Sequence, residues 1–238
     1  MDLKEAHTVG DGVASHWYYK AKLKALRRAL VGVHCSSVLD VGAGSGFFSR
    51  ALLCEAQFKE AVCVDPNYPQ EMDELVNGKP LRVCRSVSSV SADIVLMMDV
   101  LEHVSDDLAM LTSYVNMARP GTHFLITVPA FMFLWSGHDQ YLEHYRRYTL
   151  CGLEKVISCA GLEIERSHYF FGAILPIVAV VRGWKNLTEK SGQAEQSDMR
   201  PVPSLVNSLL HRICAMETAV MGINRWGGTS VFVLAVKR

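Results

Sequence analysis

The 238-residue chain has no surplus of charge of either sign, no C-x-x-C pair, no apolar run long enough to cross a bilayer and no internal repeat. Lys plus Arg and Asp plus Glu stand at 24 each, so no basic field draws the chain to nucleic acid, and no DNA or RNA substrate is expected. Its seven cysteines are odd in number and scattered, several inside apolar runs, and read as reduced core residues of a cytoplasmic protein. The first dozen residues are polar and mixed in charge, without the apolar stretch of a secretory signal. The longest apolar stretch, 170–181, is broken by Gly172 and Pro176 and falls short of the ~20 residues that span a bilayer. It reads as a buried strand end and a core helix, with the lid of a greasy pocket or a contact with a membrane surface as alternatives.

What the chain does have is residues 38–49, VLDVGAGSGFFS: an apolar strand, three alternating glycines and the start of a helix. Glycines at that junction let the backbone turn tightly and approach a ligand, the way an α/β sheet builds a nucleotide site at its first strand. The dinucleotide fingerprint G-x-G-x-x-G needs a third glycine where this chain has Phe47. Asp40, two residues ahead of Gly42, would repel a pyrophosphate and suits a cationic amino-acid headgroup. Both features disfavour the competing class, a nicotinamide-dependent oxidoreductase on the same sheet.

The rest of the chain alternates in the same way. A helix over 16–30 precedes strand 37–41; helix 47–57, strand 61–65, a loop with Pro66 and Pro69, and a short helix ending near Gly78 follow. Strands 81–85, 93–98 and 122–128, helices 106–118 and 150–160, strand 162–169 and a last strand over 228–237 complete the pattern. Strands alternating with helices imply parallel βαβ units, with ligands beyond the C-terminal strand ends. One domain over 1–238 is expected, with an N-terminal helical lid (1–34) and a helical insertion or substrate cap (172–227) containing an amphipathic helix near 205–220.

Three motifs carry the chemistry. The glycine loop, with Asp40, Gly42, Ala43, Gly44 and Gly46, is followed 19 residues after Gly46 by Asp65, at a strand end where a carboxylate can accept both hydroxyls of a ribose. Residues 98–107, MDVLEHVSDD, come next, and then 128–149, VPAFMFLWSGHDQYLEHYRRYT, dense in His, Tyr, Arg and Trp. Such a density suits a pocket floor at the strand ends.

The glycine loop closely resembles that of class I S-adenosylmethionine-dependent methyltransferases. The second motif resembles the D-V-L-E-H-V-x-D-D signature of small-molecule members, including the ubiquinone-biosynthesis O-methyltransferase branch. The third resembles a bacterial group with an H-Y-R-R-Y loop. The resemblance is strongest over 16–172 and implies a Rossmann-like, seven-stranded, mostly parallel sheet with helices on both faces and an antiparallel last strand. It also implies S-adenosylmethionine as cofactor and S-adenosylhomocysteine as product. Asp40, Gly42, Ala43, Gly44, Gly46, Asp65, Pro66, Ser86, Val87, Asp99, Val100 and His103 would hold the cofactor, closed over by Trp17 and Tyr18, with Lys20 or Lys22 near its carboxylate. Ser86 and Val87 stand where most relatives place an Asp against the adenine.

A methyl acceptor that is a hydroxyl must lose a proton, and His138 and His144 are the candidate bases, with His138 favoured because it is nearer the strand end. Trp135, Tyr141, Tyr145, Arg146 and Arg147 are candidate substrate contacts, the arginines suiting a carboxylate or phosphate and Asp139 and Glu143 being possible partners for them. The ubiquinone branch can hold a divalent metal at residues equivalent to Asp99, Glu102 and His103; no metal is assigned. The expected function is methyl transfer to an O or N nucleophile of a small-molecule acceptor by in-line displacement. A lipid or isoprenoid-linked acceptor at a membrane surface is the alternative, with no transmembrane segment in either case.

Overall fold

Short apolar strands alternate with helices along the chain, and the strands join into a single mixed sheet. The structure is a computed structural model that describes residues 15–188 and 202–238; parts of the expected lid and cap, 1–14 and 189–201, lie outside the described residues. Helix α1 (Trp17–Ala29) leads into β1 (Ser37–Val41), α2 (Phe47–Leu53), β2 (Glu60–Val64), β3 (Met72–Val76), β4 (Lys79–Cys84) and β5 (Ile94–Met98). There follow α3 (Asp107–Met117), β6 (His123–Pro129), α4 (Gly137–Tyr141), α5 (Leu150–Cys159), β7 (Glu163–Phe170), α6 (Leu175–Thr188), α7 (Ser204–Glu217) and β8 (Ser230–Val236). Spatial order is β3-β4-β2-β1-β5-β6-β8-β7. Strands β4, β2, β1, β5 and β6 run parallel, and β8 is antiparallel to both β6 and β7.

Every residue of β1, β5 and β8 is buried, which is why these strands read as near-continuous apolar runs. Pleating sends alternate side chains to opposite faces and so makes two cores. Leu96, Met98, Phe232 and Leu234 meet Ala25 and Leu26 of α1 and Phe48 and Leu52 of α2 on one face. On the other, Val95, Met97, Phe124 and Ile126 meet Leu111 and Val115 of α3 and Leu153 and Ile157 of α5.

One expected element is different. The segment ahead of Gly78 is strand β3, paired antiparallel with β4, so the sheet has eight strands where seven were expected. Asn77 and Gly78 both have positive φ, 53° and 75°, the two-residue hairpin geometry whose twist matches the flanking strands. An Asn-Gly pair between two strand-forming runs outweighs the weak helical pattern of the segment.

Helix α7 is strapped to α1. Asn207 accepts from the Trp17 N–H at 2.8 Å and donates to the Ser15 carbonyl, and Lys24 donates to the Ala215 carbonyl. Glu217, at the end of α7, accepts from the N–H groups of Gly172 and Ala173 just before α6. Helix α1, helix α7 and the segment leading into α6 are thereby tied together.

His168 of β7 is buried, stacked on Phe232 with ring centroids 5.8 Å apart, and neither ring nitrogen has a hydrogen-bond partner. Burial, with Arg166 and Arg28 adding to it, pulls its pKa down to about 4. The unfolded chain therefore takes up a proton near pH 6.5 that the folded chain refuses until about pH 4, so this residue destabilises the fold as pH falls through that window. A His168→Phe variant should retain roughly 3 kcal/mol more of its neutral-pH stability at pH 4 than the wild type does. Urea unfolding at a series of pH values checks this, and parallel profiles for the two proteins would exclude His168 as the group responsible.

Candidate active site

The glycine loop sits at the end of β1 under Val100. Gly42 has φ 63°, and a Cβ there would lie 2.8 Å from Val100 Cγ2, so both the conformation and the close approach require glycine. Gly46 has φ 68° and caps α2. Asp40 is buried behind the loop, where its carboxylate accepts from the Ser49 hydroxyl at 2.8 Å; burial pushes its pKa up to about 6. Asp65, at the end of β2, accepts from the N–H of Gly44 at 3.1 Å and of Asn67 at 2.9 Å, which locks the two strand-end loops together.

Beside this loop a cavity of about 390 Å³ opens between α1, the ends of β5, β6 and β8, and α6. Asp99 is at its base with φ 57°, its N–H donating to the Thr127 carbonyl and its Oδ1 accepting from the Thr127 hydroxyl at 3.0 Å. Its other oxygen is paired with the ammonium of Lys22, a side chain only 1 % exposed that also donates to the Tyr18 hydroxyl. Burial alone would raise the Asp99 pKa, but Lys22 outweighs it and holds the carboxyl below its ordinary value. Glu102 has no such cation. It is fully buried, neither carboxylate oxygen has a partner, and burial followed by the Asp99 charge pushes its pKa well above the usual carboxylate range.

The motif after β6 folds around one carboxylate. Ser136 and Asp139 form a capping box at the start of α4, with the Ser136 N–H donating to Asp139 at 2.9 Å. At the other end Glu143 adopts φ 58°, its N–H donates to the Gln140 carbonyl and the His144 N–H to the Asp139 carbonyl. This is a Schellman stop with glutamate in the position usually taken by glycine. The reversal returns His144 to Asp139, and its Nδ1 lies 2.9 Å from Asp139 Oδ1. Arg147 donates to the same oxygen at 2.7 Å, and Arg182 from α6 approaches the other at 3.7 Å. Burial would raise the Asp139 pKa; His144, Arg147 and Arg182 together hold it well below the carboxylate range. His144 packs edge-on against His103, ring centroids 4.5 Å apart.

The cavity brings together Trp17, Tyr18, Asp99, His103, His138, His144 and Arg147 of the expected site residues. Others fall elsewhere. Ser86 and Val87 border a separate depression with Leu39, Val62 and Arg82, because the β4–β5 connection is a loop with no covering helix. Arg146 turns away to the carbonyls of Val104 and Ser105 and to Asp107, and Tyr145 is 60 % exposed. Trp135 and Tyr141 are outside the cavity lining, since the turn of α4 presents His138 and Leu142, four residues apart, to it. Of the two arginines with Asp139 and Glu143 as possible partners, Arg147 pairs with Asp139, and Arg146 pairs with Asp107.

Sequence reasoning missed Arg182, which reaches the site from α6; the wall formed by Ile174, Ile177, Val178 and Val181 lies within the 170–181 stretch for which a pocket lid was an alternative reading. The spacing of those four, at i, i+3, i+4 and i+7, was the available signal. A further grouping was only half foreseen: Glu102, His103 and His144 each turn a donor atom to within 4.8 Å of the others. A carboxylate and two imidazoles, one of them fixed by Asp139 behind it, fit a divalent cation, and the unpartnered Glu102 is the observation in favour. Asp99 is committed to Lys22 and is not part of that set.

A mostly parallel sheet with this glycine loop, a carboxylate at the end of β2 and a strand-end cavity defines a Rossmann-like methyltransferase. A methyltransferase-domain family matches residues 15–167, and the chain belongs to that family. An uncharacterized methyltransferase of Mycobacterium sp. (strain KMS) is 31% identical over 116 residues, covering 46% of this chain and 45% of that protein. The ubiquinone biosynthesis O-methyltransferase of Aliivibrio fischeri (strain MJ11) is 28% identical over 128 residues, covering 47% and 54%. The chain thus spans about half the length of the curated relatives it matches. Among solved structures, a SAM-dependent methyltransferase from Archaeoglobus fulgidus shares the fold with a TM-score of 0.53 at 17% identity, covering 99% of this chain and 98% of that one.

Removing Lys22 would leave Asp99, half-buried at the base of the cavity, without its cation. Lys22→Met should cost about 3 kcal/mol at neutral pH, and adding Asp99→Asn should recover most of that loss. Chemical denaturation of the two single variants and the double variant measures the coupling; additive losses would mean that the pair is not an energetic unit.

Proposed function

We propose that this methyltransferase acts on an oxygen or nitrogen nucleophile of a small-molecule acceptor held in the cavity between α1, α4 and α6, with His144 as general base. The observation that carries this reading is the Asp139–His144 pair. Asp139 accepts at Nδ1 and so favours the tautomer whose Nε2 is an acceptor, and the ring lines the cavity. Bound S-adenosylmethionine supplies a methyl group on a sulfonium sulfur and leaves as S-adenosylhomocysteine. The chain's own residues then have three tasks. Asp65 and the glycine loop hold the adenosyl end; Trp17, Tyr18 and the α6 wall exclude water; His144 takes the acceptor's proton as its lone pair attacks in line. His138 lines the same cavity and is the alternative base.

His144→Ala should lower kcat by about 10²- to 10⁴-fold with little change in S-adenosylhomocysteine affinity. His138→Ala should cost less, and Asp65→Ala should weaken S-adenosylhomocysteine about tenfold by leaving ribose hydroxyls unpaired. Incubation with methyl-labelled cofactor and a metabolite extract identifies the acceptor. A His138→Ala loss larger than that of His144→Ala would reverse the base assignment.

A second reading is favoured by the Glu102, His103 and His144 donors. These residues would hold a divalent cation, which when bound would supply Lewis-acid polarisation of an acceptor oxygen. Titration with Mn²⁺ followed by electron paramagnetic resonance separates the two readings. One-to-one binding that is lost in both Glu102→Gln and His144→Ala supports the cation, and no binding at millimolar Mn²⁺ rejects it.

A further inference from the structure

Charge in this chain is balanced in total but not in space. Helices α1, α6 and α7 contain eight of its 24 Lys and Arg and only one of its 24 Asp and Glu. That one carboxylate, Glu217, is taken up by the N–H groups of Gly172 and Ala173. Lys22 is paired with Asp99 inside the site and Arg27 with Glu55, so Lys20, Lys24, Arg28 and Arg212 supply the positive charge of the outer lid surface. Lys20 and Lys24 lie close enough to His211 of α7 to lower its pKa, after burial, which places the cations of α1 alongside α7.

The same lid exposes apolar stripes. On α7, Leu205, Leu209 and Met216 fall on one line with Arg212 among them, and Leu205 is 85 % exposed. On α6, Ile177, Val180, Val181 and Trp184 make a second stripe, Val180 being 71 % exposed. Trp226, 84 % exposed, and Ile223 lie in the connection from α7 to β8. An apolar stripe carrying tryptophan and flanked by cations is the composition that seats a helix in the headgroup region of a bilayer. Arg212, within its stripe, can keep its charge among headgroups while its stem lies against apolar surface.

We propose that the α1–α6–α7 lid is a peripheral docking surface for an anionic lipid bilayer. Among the described residues no helix is long and apolar enough to cross a membrane, so the contact lies in the interface. Ile177 and Val181 belong both to the exposed α6 stripe and to the cavity wall, so the cavity mouth opens at the docking face. An acceptor with an apolar portion can then pass from the lipid to the cavity along α6. The docking itself does not depend on the acceptor or the base assigned above.

Flotation of the full chain with vesicles tests it. With phosphatidylcholine vesicles containing 30 mol% phosphatidylglycerol at 50 mM NaCl, most of the protein should float. At least about fivefold less should float with pure phosphatidylcholine or at 500 mM NaCl, because exposed charges are screened over ~4 Å there. Leu205→Ser/Leu209→Ser, on the outer face of α7, should reduce flotation by a similar factor, and so should the charge reversal Arg28→Glu/Arg212→Glu, which leaves the apolar stripe intact. An S-adenosylhomocysteine thermal shift equal to that of the wild type establishes that either variant is folded. No flotation with anionic vesicles, or unchanged flotation of both folded variants, overturns the proposal. A dimer in light scattering that these substitutions dissociate also overturns it, by assigning the face to a second copy of the chain.

Discussion

The candidate site depends on one buried carboxylate. Asp139 caps the start of α4 through the Ser136 N–H, receives His144 from the far end of the same helix, and meets Arg147 from the chain beyond and Arg182 from α6. A buried carboxylate without these donors would be costly, and so would two buried guanidiniums without it. The mutual need folds the 136–147 segment back on itself and joins it to α6 at one point. It also orients the imidazole of His144, so the electrostatic demand that folds the loop is met by the group proposed to do the chemistry.

A second ion pair joins the lid to the body. Lys22 comes from α1, ahead of the first strand, and Asp99 from the end of β5, and the two meet at the base of the cavity. Asp99 holds a left-handed backbone conformation, as do Phe131, Glu143 and Phe171; among the described residues these are four of the five non-glycine positions with positive φ, the other being in the hairpin turn. Phe171 directly follows β7, Phe131 lies two residues beyond the end of β6, and Glu143 turns the chain back toward Asp139. Local backbone cost is concentrated at the strand ends that surround the cavity, where packing over-determines each conformation.

Much of the fold could be read in the chain, for reasons particular residues make plain. The buried central strands β1, β5 and β8 must be apolar on both faces, and Asp106 capping α3 and Thr149 capping α5 mark helix starts as their residue types suggest. The edge was harder. Strand β3 is only five residues long, and its sequence, Met-Asp-Glu-Leu-Val, lacks the period-2 alternation of a half-buried strand, so its Asn-Gly turn was the one strong sign of a hairpin. Within the site, neighbouring residues of the H-Y-R-R-Y segment separate: Arg147 is drawn inward by Asp139, and Arg146 outward by Asp107 and the carbonyls of Val104 and Ser105. No pattern in the sequence distinguishes two adjacent arginines.

The local chemistry of the chain determined the strand-loop-helix with its three glycines, the carboxylates at the ends of β1 and β2, and the parallel order that puts ligands beyond the strand ends. Those features depend on steric limits and hydrogen bonding within a few residues. Only the tertiary structure decided that Lys22 faces Asp99, that Glu102 is left buried without a partner, that His144 is the histidine held by Asp139, and that Arg182 enters from a helix 35 residues further on. Each of these is a meeting of charges from distant segments, set by which buried group could find a counter-charge once the two cores had packed.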